Sequence, residues 1–208
     1  MSWLDPPFIL EKTFDWVAKS RTDTDPYDKY VSIFIAFNIF YNLVAKTRNP
    51  RTNLRFGDGK RAIGVRKLLD SSAVISHLGE FLDAYLPMIP VSSEEYLDNG
   101  IPIADTLRKA YAAGDAEQAL EFLLRWLYRV RCNLFHGNKD FNVQTQREML
   151  RRSSMILDIV LGELVSGYCR GFGVVLPRDL QQNFHADQED VESTGPNKAH
   201  SQVFYRRL

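Results

Sequence analysis

The chain has 208 residues, 26 Lys+Arg against 26 Asp+Glu, and 45% hydrophobic residues. That length gives one domain a sizeable core and leaves too little for two generous ones, and a formal net charge of zero points to no partner by itself. Two cysteines, Cys132 and Cys169, exclude a disulfide framework and a four-thiolate zinc site and lead us to expect a reducing, cytoplasmic setting. No apolar run reaches the ~18 residues of a spanning helix, since the run from Val31 to Val44 is interrupted by Asn38 and Asn42. The start, from Met1 to Pro7, lacks the basic and then apolar order of a signal peptide. No membrane association is expected.

Periodicity and punctuation predict an all-α fold, with no alternating strand pattern bounded by hairpin turns. A first helix is expected over Phe8 to Lys19. Asp25 as N-cap and Pro26 at the first helical position open a second, from Pro26 to Lys46, apolar on several faces and therefore expected at the centre of a bundle. Lys46 to Gly59 reads as a loop, with Asn49-Pro50 and Gly57-Asp58-Gly59 as turn formers. Helical pattern returns from Lys60 to about Tyr85, with a break near Ser71-Ser72. Short helices follow at Ser92 to Glu95 and at Ile103 to Ala113, the latter ended by Gly114. Asp115 caps a long helix carrying Ala119, Phe122, Leu123, Trp126, Leu127 and Val130 at spacings of three and four. Gly137 closes it. Asn142 opens the last long helix, which runs to about Arg170. The sum is a single helical domain over 1–176, four to five core helices plus short accessory ones, and a polar tail over 177–208 of the composition that stays disordered.

Neutrality overall conceals segregation. Lys46, Arg48, Arg51, Arg55, Lys60, Arg61, Arg66 and Lys67 stand against Asp58 alone, a local charge of +7. From Glu121 to Arg152 seven basic residues face three acidic ones, and the acids collect at Glu94, Glu95, Asp98 and in the tail. A basic loop of this kind suits a polyanion, because Arg and Lys neutralise phosphates and release counterions. Arg48, Arg51, Arg55, Lys60, Arg61 and Lys139 are the candidate RNA contacts. A solvated helix face and loop would carry the same residues.

The segment Arg129-Val130-Arg131-Cys132-Asn133-Leu134-Phe135-His136-Gly137 carries the chemistry. Five helical positions, about 500°, separate Arg131 from His136, so the two do not stack on a straight helix, whereas Asn133 and His136 share a face. Termination at Gly137 frees the last turn, and the long Arg stem can bend across it. His136 is the side chain that exchanges a proton near neutral pH. Arg131 offers a planar fork of donors to phosphate oxygens, and Asn133 can orient the imidazole or hold an oxygen. His136 as a C-terminal partner of the helix dipole, and Arg131 as a surface partner of Glu121 or Glu148, are the purely structural alternatives. Cys132 reads as a packed thiol. His77, His185 and His200 are scattered without ligand spacing, so no metal site and no cofactor are expected.

Arg131, four residues, His136, with Asn133 inside and Gly137 after, resembles the R-x4-6-H signature of the HEPN superfamily, small helical bundles many of which are metal-independent ribonucleases. Phe37-Asn38-Ile39-Phe40-Tyr41 is similar to the aromatic-Asn-x-x-Tyr pattern on the core helix of bacterial members. The two motifs and the helices between them span residues 8 to 171. The resemblance implies an HEPN-like bundle, RNA as substrate, Arg131, Asn133 and His136 as catalytic residues, Asn38 and Tyr41 in support, and a homodimer whose two motifs form one cleft. It also implies a toxin or antiphage role and a regulatory or antitoxin partner. Members paired with nucleotidyltransferase antitoxins carry Tyr two positions after the His, where this chain has Asn138, which argues against control of that kind. A non-catalytic HEPN-like module that binds RNA or protein, and a helical adaptor without a nucleic-acid role, are the alternatives.

Overall fold

A computed structural model of the chain describes residues 6–48, 57–89, 97–98, 100–135 and 143–175, and of Arg48, Leu97 and Asp98 the backbone alone. Residues 1–174 group into one compact unit, and 175–208 into another of which only Val175 is described. The described part of the first unit is all-α but for one two-residue β pair. Its elements are α1 (Pro6–Thr22), α2 (Pro26–Arg48), α3 (Asp58–Gly64), a 3-10 segment (Val65–Leu68), α4 (Ser71–His77), α5 (Gly79–Tyr85), a 3-10 turn (Leu86–Met88), β1 (Leu97–Asp98), β2 (Ile101–Pro102), α6 (Ile103–Ala112), α7 (Ala116–Phe135) and α8 (Gln144–Phe172).

Two of the expected caps form; the third, Asn142, lies outside the described residues, and α8 instead starts at Gln144 after Val143 with no side-chain cap. The Asp25 carboxylate accepts from Tyr27 N at 2.8 Å, so α2 starts at Pro26. Asp115 accepts from Gln118 N at 3.0 Å at the head of α7, directly after Gly114 turns the chain at φ +71°. Several boundaries differ from the sequence reading, among them both ends of α1 and the end of α8 at Phe172 rather than Arg170. Helix α2 runs on to Arg48, two residues into the segment read as loop. Asp58 and Gly59, read as turn formers, are the first two residues of α3, and the Tyr128 ring packs so closely there that a Cβ on Gly59 would lie 3.2 Å from it. The break expected near Ser71-Ser72 is present at Leu69-Asp70, after a 3-10 segment from Val65, and Asp70 recaps α4 through Ser72 N and Ala73 N; a second interruption, at Leu78, separates α4 from α5. The β1 and β2 pair is antiparallel, with Leu97 opposite Pro102 and Asp98 opposite Ile101. Two residues per strand are too few to show alternation. The stretches read as a loop at 49–56, a short helix at 92–95, the end of α7 at Gly137 and the tail lie wholly or almost wholly outside the described residues.

Helix α2 packs between α1 and α8, which explains its all-round apolar character. Tyr30, Ile33, Phe37, Phe40 and Tyr41 are all buried; Phe37 meets Tyr41 edge-on at 5.2 Å, and Phe40 meets Tyr168 of α8 at 5.7 Å. By length and composition Pro26–Thr47 is apolar enough to cross a membrane, yet α1 and α8 cover it here. On the other side α7 packs against α6, α4 and α3. Trp126 of α7 donates to Tyr85 OH at 2.8 Å, and that hydroxyl lies 2.5 Å from Ser153 Oγ of α8. Because Ser153 Oγ donates to Met149 O, Tyr85 is the donor of the 2.5 Å bond, and the chain of bonds joins α7, α5 and α8 through the core. Tyr30 OH donates to Leu127 O, pinning α2 to α7 one turn before Arg131.

Candidate functional site

Arg131 sits in the last turn and a half of α7, half-buried, four residues before the helix's described end. Tyr128 and Phe135, three before and four after, share its face. Its guanidinium carbon stands 4.8 Å from the Phe135 ring centre, 5.9 Å from Tyr128 and 5.8 Å from Phe34, which reaches across from α2. Such a cradle fixes a guanidinium without neutralising it. Nη1 also lies 4.0 Å from Cys132 Sγ.

The acids that the sequence offered as surface partners are committed elsewhere. Glu121 binds Arg125 and Arg66, each at 2.7 Å. Glu148 binds Arg151 at 2.8 Å and Arg152 at 2.7 Å, and its carboxyl is held down at about 2, first by the bond from Arg151. Arg147 reaches Asp25 at 2.9 Å. Among the described residues no carboxylate pairs with Arg131.

A polar network lies beside this cradle. Asn42 Nδ2 donates to Asn38 Oδ1 at 3.0 Å, and Asn38 Nδ2 donates to Tyr41 OH at 2.6 Å. The Tyr41 hydroxyl is pushed above the ordinary tyrosine value by burial and by the neighbouring Asp58 carboxylate. Asp58 in turn pairs with Arg61 at 3.1 Å and accepts from Tyr128 OH at 3.4 Å. Tyr128 is raised to about 12, by burial first and Asp58 second, with Arg131 opposing. Asn38 and Tyr41 therefore reach the Arg131 face through Asp58 and Tyr128, residues absent from the sequence candidates. The positions of Tyr128 and Phe135 were readable from helical spacing. Asp58, 70 positions from Tyr128, carried no local signal.

Asn133 is not on that face. Two positions along a helix is about 200°, and Asn133 is buried at 4% exposure while its Nδ2 has no hydrogen-bond partner. His136, Lys139, Arg51 and Arg55 lie outside the described residues, as does the side chain of Arg48. Of the remaining basic candidates Lys60 is exposed on α3, whereas Arg61 is tied to Asp58; Arg66, counted in the same run, is tied to Glu121. The run is thus partly neutralised, by Asp58 within it and by Glu121 from a distant helix. His77 Nδ1 lies 3.8 Å from Glu163, and no group of three or more His, Cys, Asp or Glu that could hold a metal ion is found among the described residues. No protein-family model matches the chain, and neither a curated protein nor a solved structure is significantly similar to it.

Proposed function

We propose that the chain is a metal-independent endoribonuclease of HEPN type. The observation that carries this reading is Arg131: a cation with no carboxylate partner among the described residues, gripped by three aromatic rings, five positions before the one histidine of the motif. A guanidinium stabilises charge developing on a phosphate when it is rigid and free of a competing anion. His136 would take the proton of a ribose 2′-hydroxyl as that oxygen bonds to the adjacent phosphorus. The P–O5′ bond then breaks, leaving a 2′,3′-cyclic phosphate, and the departing O5′ takes up a proton. DNA lacks the attacking hydroxyl and is not cut. The second proton transfer falls to His136 of a second copy, so a homodimer belongs to the proposal, as do a toxin or antiphage role and a restraining protein partner. Asn133, buried across the helix from Arg131, acts by positioning the turn that carries His136.

The test is cleavage of RNA by the full chain in EDTA. His136→Ala and Arg131→Ala should each lower the rate by at least ~100-fold, the ordinary scale for losing a general base or a charge-stabilising donor. Unchanged cleavage in both variants, or activity that disappears on chelation, would sink the assignment. RNA binding without cleavage by the unaltered chain would establish the non-catalytic module instead.

A further inference from the structure

We infer that Phe135 is a stacking platform for an unpaired nucleobase of single-stranded RNA, placed so that the adjoining phosphate meets Arg131. The inference rests on the reading of Arg131 as a phosphate-binding cation and names the form of RNA that the site takes.

Phe135 ends the described part of α7 with 54% of its surface exposed, although it belongs to a chain whose other described phenylalanines, Phe172 apart, are buried or half-buried. An aromatic ring left in water forgoes the gain that burial brings, so its position calls for an occupant. The Arg131 guanidinium, 4.8 Å from the ring centre, covers part of the ring and holds it against the helix. The rest is open. An apolar protein surface would cover the ring equally well but would trap beside it a guanidinium that no described carboxylate compensates, at the cost of desolvating that charge. A nucleotide offers both complements at once, a π face for the ring and an anion for the guanidinium. Lys60, exposed on α3 next to the Gly59 that abuts Tyr128, adds positive charge on the flank. In a duplex the bases are already stacked on one another and their faces are closed, so the platform selects single strands and loops.

The probe is a short fluorescein-labelled RNA of mixed sequence, 2′-O-methylated at every ribose so that it binds without being cut, used single-stranded and annealed to its complement. Binding is followed by anisotropy for the unaltered full chain, Phe135→Leu and Phe135→Trp, with the mass of each measured by light scattering. Phe135→Leu should weaken single-strand binding roughly 5- to 150-fold, the equivalent of one lost base stack. Phe135→Trp should restore it, with quenching of the added indole on RNA binding, and Phe135→Leu should leave duplex binding unchanged. Equal affinities of Phe135→Leu and the unaltered chain would overturn the inference, as would a duplex bound as tightly as the single strand. A loss of affinity that merely follows a drop in mass would overturn it too, showing a second copy as the occupant. Cleavage of unmodified RNA is scored separately: Phe135-dependent binding without cleavage refutes the nuclease and spares the platform, and cleavage indifferent to Phe135 does the reverse.

Discussion

Gly167 is where the fold tolerates least. It lies in α8 against the 3-10 segment that follows α3, and a Cβ at this position would stand 2.5 Å from Leu68 O and 3.5 Å from Leu68 C. The obstructing atoms are backbone, so no side chain can swing aside, and α8 or the 3-10 turn must retreat by about half an ångström to reach the 3.0 Å below which real Cβ contacts essentially do not occur. Gly171, one turn later in the same helix, has nothing within 4 Å. Both Gly167→Ala and Gly171→Ala gain the helix preference of alanine, up to about 1 kcal/mol, so their difference isolates the contact. Forced overpacking costs about 1–3 kcal/mol. For a domain of this size that is a gap of roughly 2–12 °C in melting temperature, with Gly171→Ala at or above the unaltered chain and Gly167→Ala below Gly171→Ala by the full gap. Thermal denaturation followed by circular dichroism reads it directly. Variants that melt within about 1 °C of each other would refute the close approach of α8 to Leu68.

Asp58→Asn should lower the ionisation of Tyr128 from about 12 towards, but not to, the ordinary tyrosine value, since burial is the larger cause and remains. An alkaline absorbance titration, with Tyr128→Phe to assign the signal, measures this; superposed curves for the unaltered chain and Asp58→Asn would disprove the contact. A tyrosine raised in the folded state lends stability that is intact below about pH 10 and lost as pH rises through about 12, so Asp58→Asn should narrow that window. Glu148→Gln should cost up to about 1 kcal/mol at pH 7, because the pairs with Arg151 and Arg152 are partly exposed. The carboxyl is depressed to about 2, so the stability it lends is present above about pH 4.5 and lost as pH falls towards 2. Urea unfolding at pH 7 and pH 2 checks the sign: a gap that persists undiminished at pH 2 contradicts it.

Local signals were legible and distant pairings were not. Asp25-Pro26 and Gly114-Asp115 mark helix starts because cap and turn chemistry act over three or four residues, and both helices begin there. The end of α8 was readable in the same way, since Gly173 takes the left-handed conformation at φ +64° after Phe172, although the apolar pattern pointed to Arg170. Gly57-Asp58-Gly59 carries every mark of a turn, yet Gly57 caps α3 and Asp58 and Gly59 are helical, with the Tyr128 ring packed against Gly59. Charge fared likewise. Summing Lys46 to Lys67 counts Asp58, which pairs locally with Arg61, but leaves out Glu121, which meets Arg66 from α7. A run of like charge gives the number of cations, and only the fold shows which of them are neutralised.

The motif itself divides across the helix. Arg131 and Asn133 are two positions apart, and one lies among aromatic rings at the surface while the other is buried with an unpartnered amide nitrogen. They cannot hold the same phosphate from opposite sides of α7. An unsatisfied buried donor costs roughly 1–3 kcal/mol, a penalty natural sequences keep where the group serves something other than packing. The two residues therefore belong to different faces of α7. Arg131 faces outward, its charge available and its orientation fixed by Phe34, Tyr128 and Phe135. Asn133 faces inward, into the packed side of α7. Spacing along the sequence makes the pair look like neighbours in one site; helical geometry makes them the outer and inner walls of the same turn.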